Sequence, residues 1–472
     1  MQLSGKPLIR LCLVLVCMAI AVLFAAPGAR AEPSSAGLVR QDVSFRGGGG
    51  LILHGTVLAA PGAPGTRPGI VLIGGSGPGP REEYRQEAEA FARAGITTLV
   101  YDKRTVEYSR THRDFGLLAD DALAGLRLLR GHKGVDPHQV GLWGFSEGGW
   151  VAPLAAARSS DVAFLITMAA SGHPPLRTQT WDLTTHLKHR GIGGSFAGVI
   201  SGPAAQLVDS TGLFPTADYD PSQALSRLHR IPVLALWGER DTQVPPQESA
   251  RIFRQALDQA GNKHTVIRFL PDAAHNGHLT TDGFDRIGGP LFHGKPLGEL
   301  APDYVQTVSS WVRAVGAGHP PTSSTAPAPP QATSSVPVPG RAWGAWLAPA
   351  LLLAGFAAYP LSAVLRRGPA VPAVRWLSGL GLLTVASAVL YPLAVFAAGD
   401  AAAAPVVWGR PVAWLVVQML AIAVLVSAGG TVVTVRRRHR DWGQAVWLRL
   451  APAALATVGF VPWALWWGVM RP

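Results

Sequence analysis

Val140-Gly141-Leu142-Trp143-Gly144-Phe145-Ser146-Glu147-Gly148-Gly149-Trp150 decides how this chain is read. A short apolar run with strand character leads into Gly144-Phe145-Ser146-Glu147-Gly148, and a helix-forming run, 150–157, follows. G-x-S-x-G between a strand and a helix describes a sharp turn that strains the serine backbone and lifts its hydroxyl above a sheet edge. Side chains at the flanking positions would collide there, so the turn needs glycine at Gly144 and Gly148.

Outward from this elbow, apolar β-rich runs alternate with amphipathic stretches between 38 and 311, the pattern of a sheet with crossover helices. A hairpin is expected at 39–45 and 51–58 around Gly47-Gly48-Gly49-Gly50, and core strands at 69–74, 97–102, 140–143, 163–168, 233–237 and 265–270. Apolar residues recur at three- and four-residue spacing in 81–94, 115–130 and 247–260, which predicts helices. The fold class is therefore α/β, with the α/β-hydrolase arrangement of a mostly parallel sheet and helices on both faces. Residues 172–230 interrupt the alternation before the penultimate strand, and an insertion of that length is expected to cap a pocket.

A serine hydroxyl needs a base, and the base needs a carboxylate to fix its tautomer and stabilise the imidazolium. In this fold the acid and the histidine follow the serine in that order. Asp241, in Gly238-Glu239-Arg240-Asp241 after the strand at 233–237, is the expected acid. His275, in Pro271-Asp272-Ala273-Ala274-His275-Asn276-Gly277-His278 after the last strand, is the expected base. Glu239 or Asp272 is the rival acid and His278 the rival base. Backbone donors for the oxyanion are expected at Glu147, directly after the nucleophile, and at Ser76 or Gly75 in Gly74-Gly75-Ser76-Gly77-Pro78-Gly79. No Gly-Lys-Ser/Thr follows that loop, which argues against a nucleotide cradle, and His275 and His278 lack the glutamate of a zincin, which argues against a metal pair. Neither a cofactor nor a metal is expected.

Gly74-Gly75-Ser76-Gly77-Pro78, Tyr101-Asp102-Lys103-Arg104, Gly144-Phe145-Ser146-Glu147-Gly148-Gly149 and Gly238-Glu239-Arg240-Asp241 together resemble the exported α/β-hydrolases related to serine aminopeptidases and acyl esterases. The resemblance covers 38–311 and implies the same Ser, Asp and His roles. Thr105 stands where the family pattern has glycine, and Phe145 where histidine is common. Tyr101 to Arg104 is expected to stabilise a loop beside the site.

The ends of the chain place this domain. Residues 1–31 combine a basic start, an apolar run and Ala29-Arg30-Ala31, the features of a secretory signal peptide, with a permanent N-terminal anchor as the alternative. Both cysteines, Cys12 and Cys17, lie within it, so a mature chain would have neither disulfide nor thiolate nucleophile. The hydrolase domain is expected over 32–315, and 316–340, rich in Pro, Ser, Thr and Ala, reads as an extended linker. Four apolar segments follow at 343–365, 376–398, 412–435 and 450–470, each about the 20 residues that cross a bilayer. Arg366, Arg367, Arg375 and Arg436, Arg437, Arg438, Arg440, Arg449 lie in the first and third connections, which would be cytoplasmic, leaving the hydrolase outside. No Asp, Glu, Lys or His sits mid-span, so the spans read as an anchor without an ion pathway. The formal net charge of +12 is thus partly topological, and no basic tract in the soluble part suggests nucleic acid. An extracytoplasmic ester hydrolase acting on a small acyl substrate is the expected function. A peptidase or amidase, for which Asp182, Asp209, Asp218 or Asp220 would meet a free amino terminus, an acyltransferase, and a membrane-linked sensor without turnover are the alternatives. The oligomeric state is not readable.

Overall fold

A computed structural model describes residues 37–62, 65–109, 111–212, 214–333, 336–337, 343–366, 371–438, 440 and 442–471. The expected leader with both cysteines lies outside these residues, as do 334–335 and 338–342 of the expected linker.

Strands β1 (Val39–Arg46), β2 (Ile52–Ala59), β3 (Arg67–Ile73), β4 (Thr97–Tyr101), β5 (Val135–Phe145), β6 (Leu165–Met168), β7 (Val233–Gly238) and β8 (Thr265–Leu270) line up as β1-β2-β4-β3-β5-β6-β7-β8. β2 runs antiparallel to β1 and β4, and the neighbours from β4 through β8 are parallel. Every residue of β4, β6 and β7 is buried, which is what a parallel sheet covered on both faces demands of its strands. β5 begins earlier than the apolar run suggests, because its first half, with Asp136, Pro137 and His138, is largely exposed and polar. β4 and β5 flank β3 on opposite sides, so the sheet changes its direction of growth there. Parallel sheets bind ligands at the carboxyl ends of strands at such a switch.

Helices α1 (Arg85–Arg93), α2 (Phe115–Arg130) and α3 (Gly148–Ala156) belong to the first half of the sheet. α2 starts sharply because the Asp114 carboxylate accepts from the amides of Gly116 and Leu117. Residues 172–230 fold as helices α4 (Pro175–His189), α5 (Gly194–Val199), α6 (Ala205–Thr211) and the single turn α7 (Ser222–Leu225), with a π turn at Ile200–Ala204. Helices α8 (Pro246–Gln259) and α9 (Tyr304–Gly316) complete the domain. Between β8 and α9 the chain makes a second excursion, 271–303, carrying a small hairpin of β9 (Leu291–Phe292) and β10 (Lys295–Pro296).

The Pro- and Ser-rich stretch after α9 is extended and bonded to the domain. Its residues Ser324–Thr325, β11, add to β8 in parallel. Ser323 N donates to Lys263 O at 2.9 Å, Ala326 N to Ile267 O at 3.1 Å, and Glu248 N to Gln331 Oε1 at 3.0 Å. The stretch thereby covers an edge whose backbone groups would otherwise be unpaired.

Helices α10 (Trp343–Arg366), α11 (Pro372–Ala398), α12 (Val412–Arg438) and α13 (Gln444–Trp466) are long and apolar enough to cross a membrane. α13 starts before the expected 450 and ends before the expected 470, and Arg449 within it donates from Nε to Ser362 Oγ at 3.1 Å. Outward-facing Leu351, Leu390, Met419, Val426 and Val458 are exposed, an outside suited to hydrocarbon and unlike that of a water-soluble bundle. Inside, small residues allow close approach: a Cβ on Gly355 would lie 2.7 Å from Ala456 Cβ.

The cap joins the two parts. Leu183, Leu187, Phe196 and Leu207 share one buried apolar cluster with Trp414, Phe460 and Trp467 of the bundle. Phe196 lies between Tyr391 and Trp414, ring centroids 5.4 and 5.3 Å away. Trp414 Nε1 donates to Ser195 Oγ at 3.3 Å, Gly193 N to Gly409 O at 3.0 Å, and Arg190 pairs with Asp400. These contacts fall at the end of the bundle opposite Arg436, Arg437 and Arg438. Phe196→Ala is expected to remove about 3–5 kcal/mol of packing at this junction. Limited proteolysis in detergent should then cut 174–212 faster while the sheet's circular dichroism is kept.

Candidate active site

Ser146 has φ 52, a left-handed backbone rarely adopted by a side-chain-bearing residue. Its amide donates to Met168 O of the neighbouring strand at 3.0 Å. A Cβ on Gly144 would lie 2.1 Å from Gly148 O, and one on Gly148 2.3 Å from Ile73 O. Gly149 is equally constrained, since a Cβ there would lie 2.4 Å from Ala170 Cβ. The elbow is a backbone-to-backbone contact between β3, β5 and the first turn of α3.

Ser146 Oγ lies 3.0 Å from His275 Nε2, and His275 Nδ1 lies 3.0 and 3.1 Å from the two carboxylate oxygens of Asp241. The Asp241 carboxylate is buried, and its Oδ1 also accepts from the amides of Gln243 and Val244, both at 2.9 Å. These fixed donors hold the carboxylate in one orientation. β7 ends at Gly238, where a Cβ would lie 2.3 Å from the carbonyls of both Ala273 and Ala274. Only glycine lets the segment carrying His275 cross the strand end beside Asp241.

The rival residues are placed elsewhere. Glu239 is exposed, and Asp272 is exposed and bound to Arg240 Nη2 at 2.5 Å. His278 is buried, with Nε2 2.9 Å from Glu87 and Nδ1 3.1 Å from Gly298 O. Burial opposes its charging, but the bond and charge of Glu87 outweigh this and raise its pKa above the ordinary imidazole value.

Among the described residues, the amides of Glu147 and Ser76 have no hydrogen-bond acceptor, whereas Gly75 N donates to Tyr84 Oη at 2.7 Å. Glu147 is the N-cap of α3, where the helix presents unpaired N–H groups and a positive dipole end. A Cβ on Gly75 would lie 3.4 Å from Ser146 Cβ, so the glycine loop comes against the elbow.

Tyr108 and Arg113 escape motif reading, because only the fold brings them to this point. The buried Glu147 carboxylate accepts from Tyr108 Oη at 2.7 Å and meets Lys103 Nζ at 2.5 Å and Arg113 Nη1 at 3.2 Å. Lys103 Nζ also donates to Gly75 O at 2.5 Å, and Gly77 N donates to Tyr108 Oη at 2.9 Å. One lysine thus ties the glycine loop to the residue after Ser146. Its neighbour Arg104 instead pairs with Asp121 and holds Gly48 O at 2.8 Å, fixing the β1–β2 turn.

A cavity of about 560 Å³ opens over Ser146 and His275. Its walls include Phe145 and Tyr84, His186 of cap helix α4, and Phe284, Phe292 and Leu297 of the second excursion. Phe284 stacks on His189 at 3.7 Å and meets His186 edge-on at 4.9 Å, so excursion and cap touch. The sequence pattern does not reveal this second cover, since 271–303 is mostly turns. A larger hollow of about 770 Å³, lined by Arg177, Glu248 and Gln331, is lined by none of Ser146, Asp241 and His275.

Comparison with known proteins finds a match to the prolyl oligopeptidase family over residues 108–286. Esterase EstD of Thermotoga maritima is 26% identical over 246 residues, covering 46% of this chain and 56% of its own length. Polyketide transferase ATR5 of Stachybotrys chlorohalonatus is 30% identical over 138 residues, covering 28% of this chain and 45% of its own. The chain spans about half the length of these curated relatives. The solved α/β-hydrolase GrgF from Penicillium sp. sh18 superposes with a TM-score of 0.37 at 18% identity, covering 50% of this chain and 91% of that one. The sheet order and the strained serine elbow give this chain the α/β-hydrolase fold, within which residues 108–286 match the prolyl oligopeptidase family, and four apolar C-terminal helices follow.

Proposed function

We propose that this chain is a membrane-anchored serine hydrolase that cleaves a carboxylic ester outside the cytoplasmic membrane. The observation that carries the reading is the hydrogen-bonded run Ser146, His275, Asp241 at the sheet's switch point. In this reading His275 Nε2 takes the Ser146 proton as Oγ bonds to the ester carbonyl carbon. The oxyanion is held by the amides of Glu147 and Ser76. The carbonyl re-forms, the C–O bond to the alcohol breaks, and His275 returns its proton to the leaving alkoxide. His275 then takes a proton from water as the water oxygen bonds to the acyl carbon, the bond from that carbon to Ser146 Oγ breaks, and the proton returns to Oγ as the acid leaves. Asp241 holds Nδ1–H and stabilises the imidazolium without taking its proton. The name of the Thermotoga relative is consistent with an ester substrate.

The arginine-rich connections and the attachment of the hydrolase domain at the opposite end of the bundle support an extracytoplasmic site. A leader at 1–31 would deliver it there.

Peptide or amide cleavage is the second reading, favoured by the family description. None of Asp182, Asp209, Asp218 and Asp220 lines the cavity, and its wall carboxylates Glu87 and Asp285 bond to His278 and to Thr280 and Thr281. Glu83 is the wall carboxylate that would meet an amino terminus. Acyl transfer to an alcohol shares the acyl-enzyme and is distinguished by its product.

Three outcomes test the proposal. Membrane fractions should label with a fluorophosphonate probe and hydrolyse p-nitrophenyl butyrate, and Ser146→Ala should lose both; an unlabelled, folded wild type would refute it. Asp241→Asn should keep the fold and lower kcat ~10⁴-fold by favouring the wrong histidine tautomer. Lys103→Met should lower kcat about 10- to 100-fold with KM nearly unchanged, because it loosens the placement of both oxyanion amides.

A further inference from the structure

Resting on the hydrolase reading, we propose that the ester belongs to a bilayer lipid, whose acyl chain stays in the leaflet beside the bundle while its carbonyl reaches Ser146. Helix α4 makes the connection. His186 lines the cavity, and Arg190, just past the end of this helix, pairs with Asp400 in the connection between α11 and α12. Four residues of helix advance about 6 Å. The cavity wall is thus about one helical turn from the membrane domain.

The level of the bilayer surface is marked independently. Trp343, Trp346 and Trp408 lie at the cap end of the bundle and are 74%, 38% and 88% exposed. Tryptophans with this exposure at span ends settle among lipid headgroups. Gly193, bonded to Gly409 beside Trp408, and Val199, packed near Gly468, put the underside of the cap in the same layer. The interfacial layer on each side of a bilayer is about 5–7 Å deep, so a site one helical turn from the membrane domain is within reach of that layer. Acyl ester carbonyls of lipids lie at the inner boundary of that layer.

The cavity suits such a guest. Phe145, Phe284, Phe292 and Leu297 give the lifted part of the chain an apolar wall, and Arg286 and Lys295 in the same lining suit the polar headgroup end of the lipid. The attachment also goes beyond tethering. A water-borne ester would be served by a domain on a loose linker, whereas here the linker is bonded along β8 and the cap is sealed on the helix ends.

The test uses the full chain in proteoliposomes with two esters of one leaving group, 4-methylumbelliferyl palmitate and 4-methylumbelliferyl butyrate. Palmitate ester in the enzyme's own bilayer should be hydrolysed at least ten-fold faster than the same ester in separate protein-free vesicles, with Ser146→Ala inactive. Phe196→Ala should keep butyrate turnover and lose most of that advantage. Equal rates for the two placements, or butyrate turnover with bilayer palmitate left intact, would overturn the lipid inference alone. Full retention of the advantage in Phe196→Ala would overturn the route through the cap. Failure of both esters, together with absent fluorophosphonate labelling, would overturn the hydrolase reading itself.

Discussion

The structure turns on one close approach, the backbone of Gly148 against the Ile73 carbonyl at the end of β3. With no side chain between them, the first turn of α3 lies directly on the sheet, and β5 must reverse within the residues around Ser146. The left-handed backbone at Ser146 follows from that reversal. Ser146 is therefore held above the crevice between β3 and β5, with the start of α3 beneath it. The strain is supported by the packing of a fully buried sheet, whose Trp143 and Trp237 have almost no exposure.

A second constraint adds to the first. Glu147 supplies a backbone amide on one side and a buried carboxylate on the other, and that carboxylate is enclosed by Lys103, Tyr108 and Arg113. A buried carboxylate without cations would be costly; with them it becomes a rigid link between the elbow and the glycine loop. The link explains a glutamate at a position that an elbow alone leaves open.

Much of this was legible in the sequence, for identifiable reasons. Core strands such as β4 and β7 are continuous apolar runs, and the serine elbow leaves glycines at fixed offsets, so both survive as local patterns. Asp241 and His275 could be proposed as acid and base because each follows a core strand within a few residues, and the structure puts the two side chains within hydrogen-bond distance of each other. What local pattern does not encode is which distant segments meet. Tyr108 and Arg113 reach Glu147 only once α2 has packed beside β5, and Phe284 meets His189 only across two separate excursions. The Pro- and Ser-rich stretch at 316–340 has the composition of a free spacer, and only the exposed side of β8 gives Ser324–Thr325 a partner. The cap gave little periodic signal because its apolar residues face two surroundings, the hydrolase core and the bundle.

The merged cluster of cap and bundle also bears on how such a chain changes over generations. Domains joined by a loose spacer can be exchanged one at a time, since neither contributes to the other's interior. Here Phe196 and Trp414 form part of one interior, so a substitution on either side is felt by both. The two halves form a single hereditary unit: a gene fusion that supplied a different set of spans would leave the cap's apolar underside bare, and selection must act on the pair together.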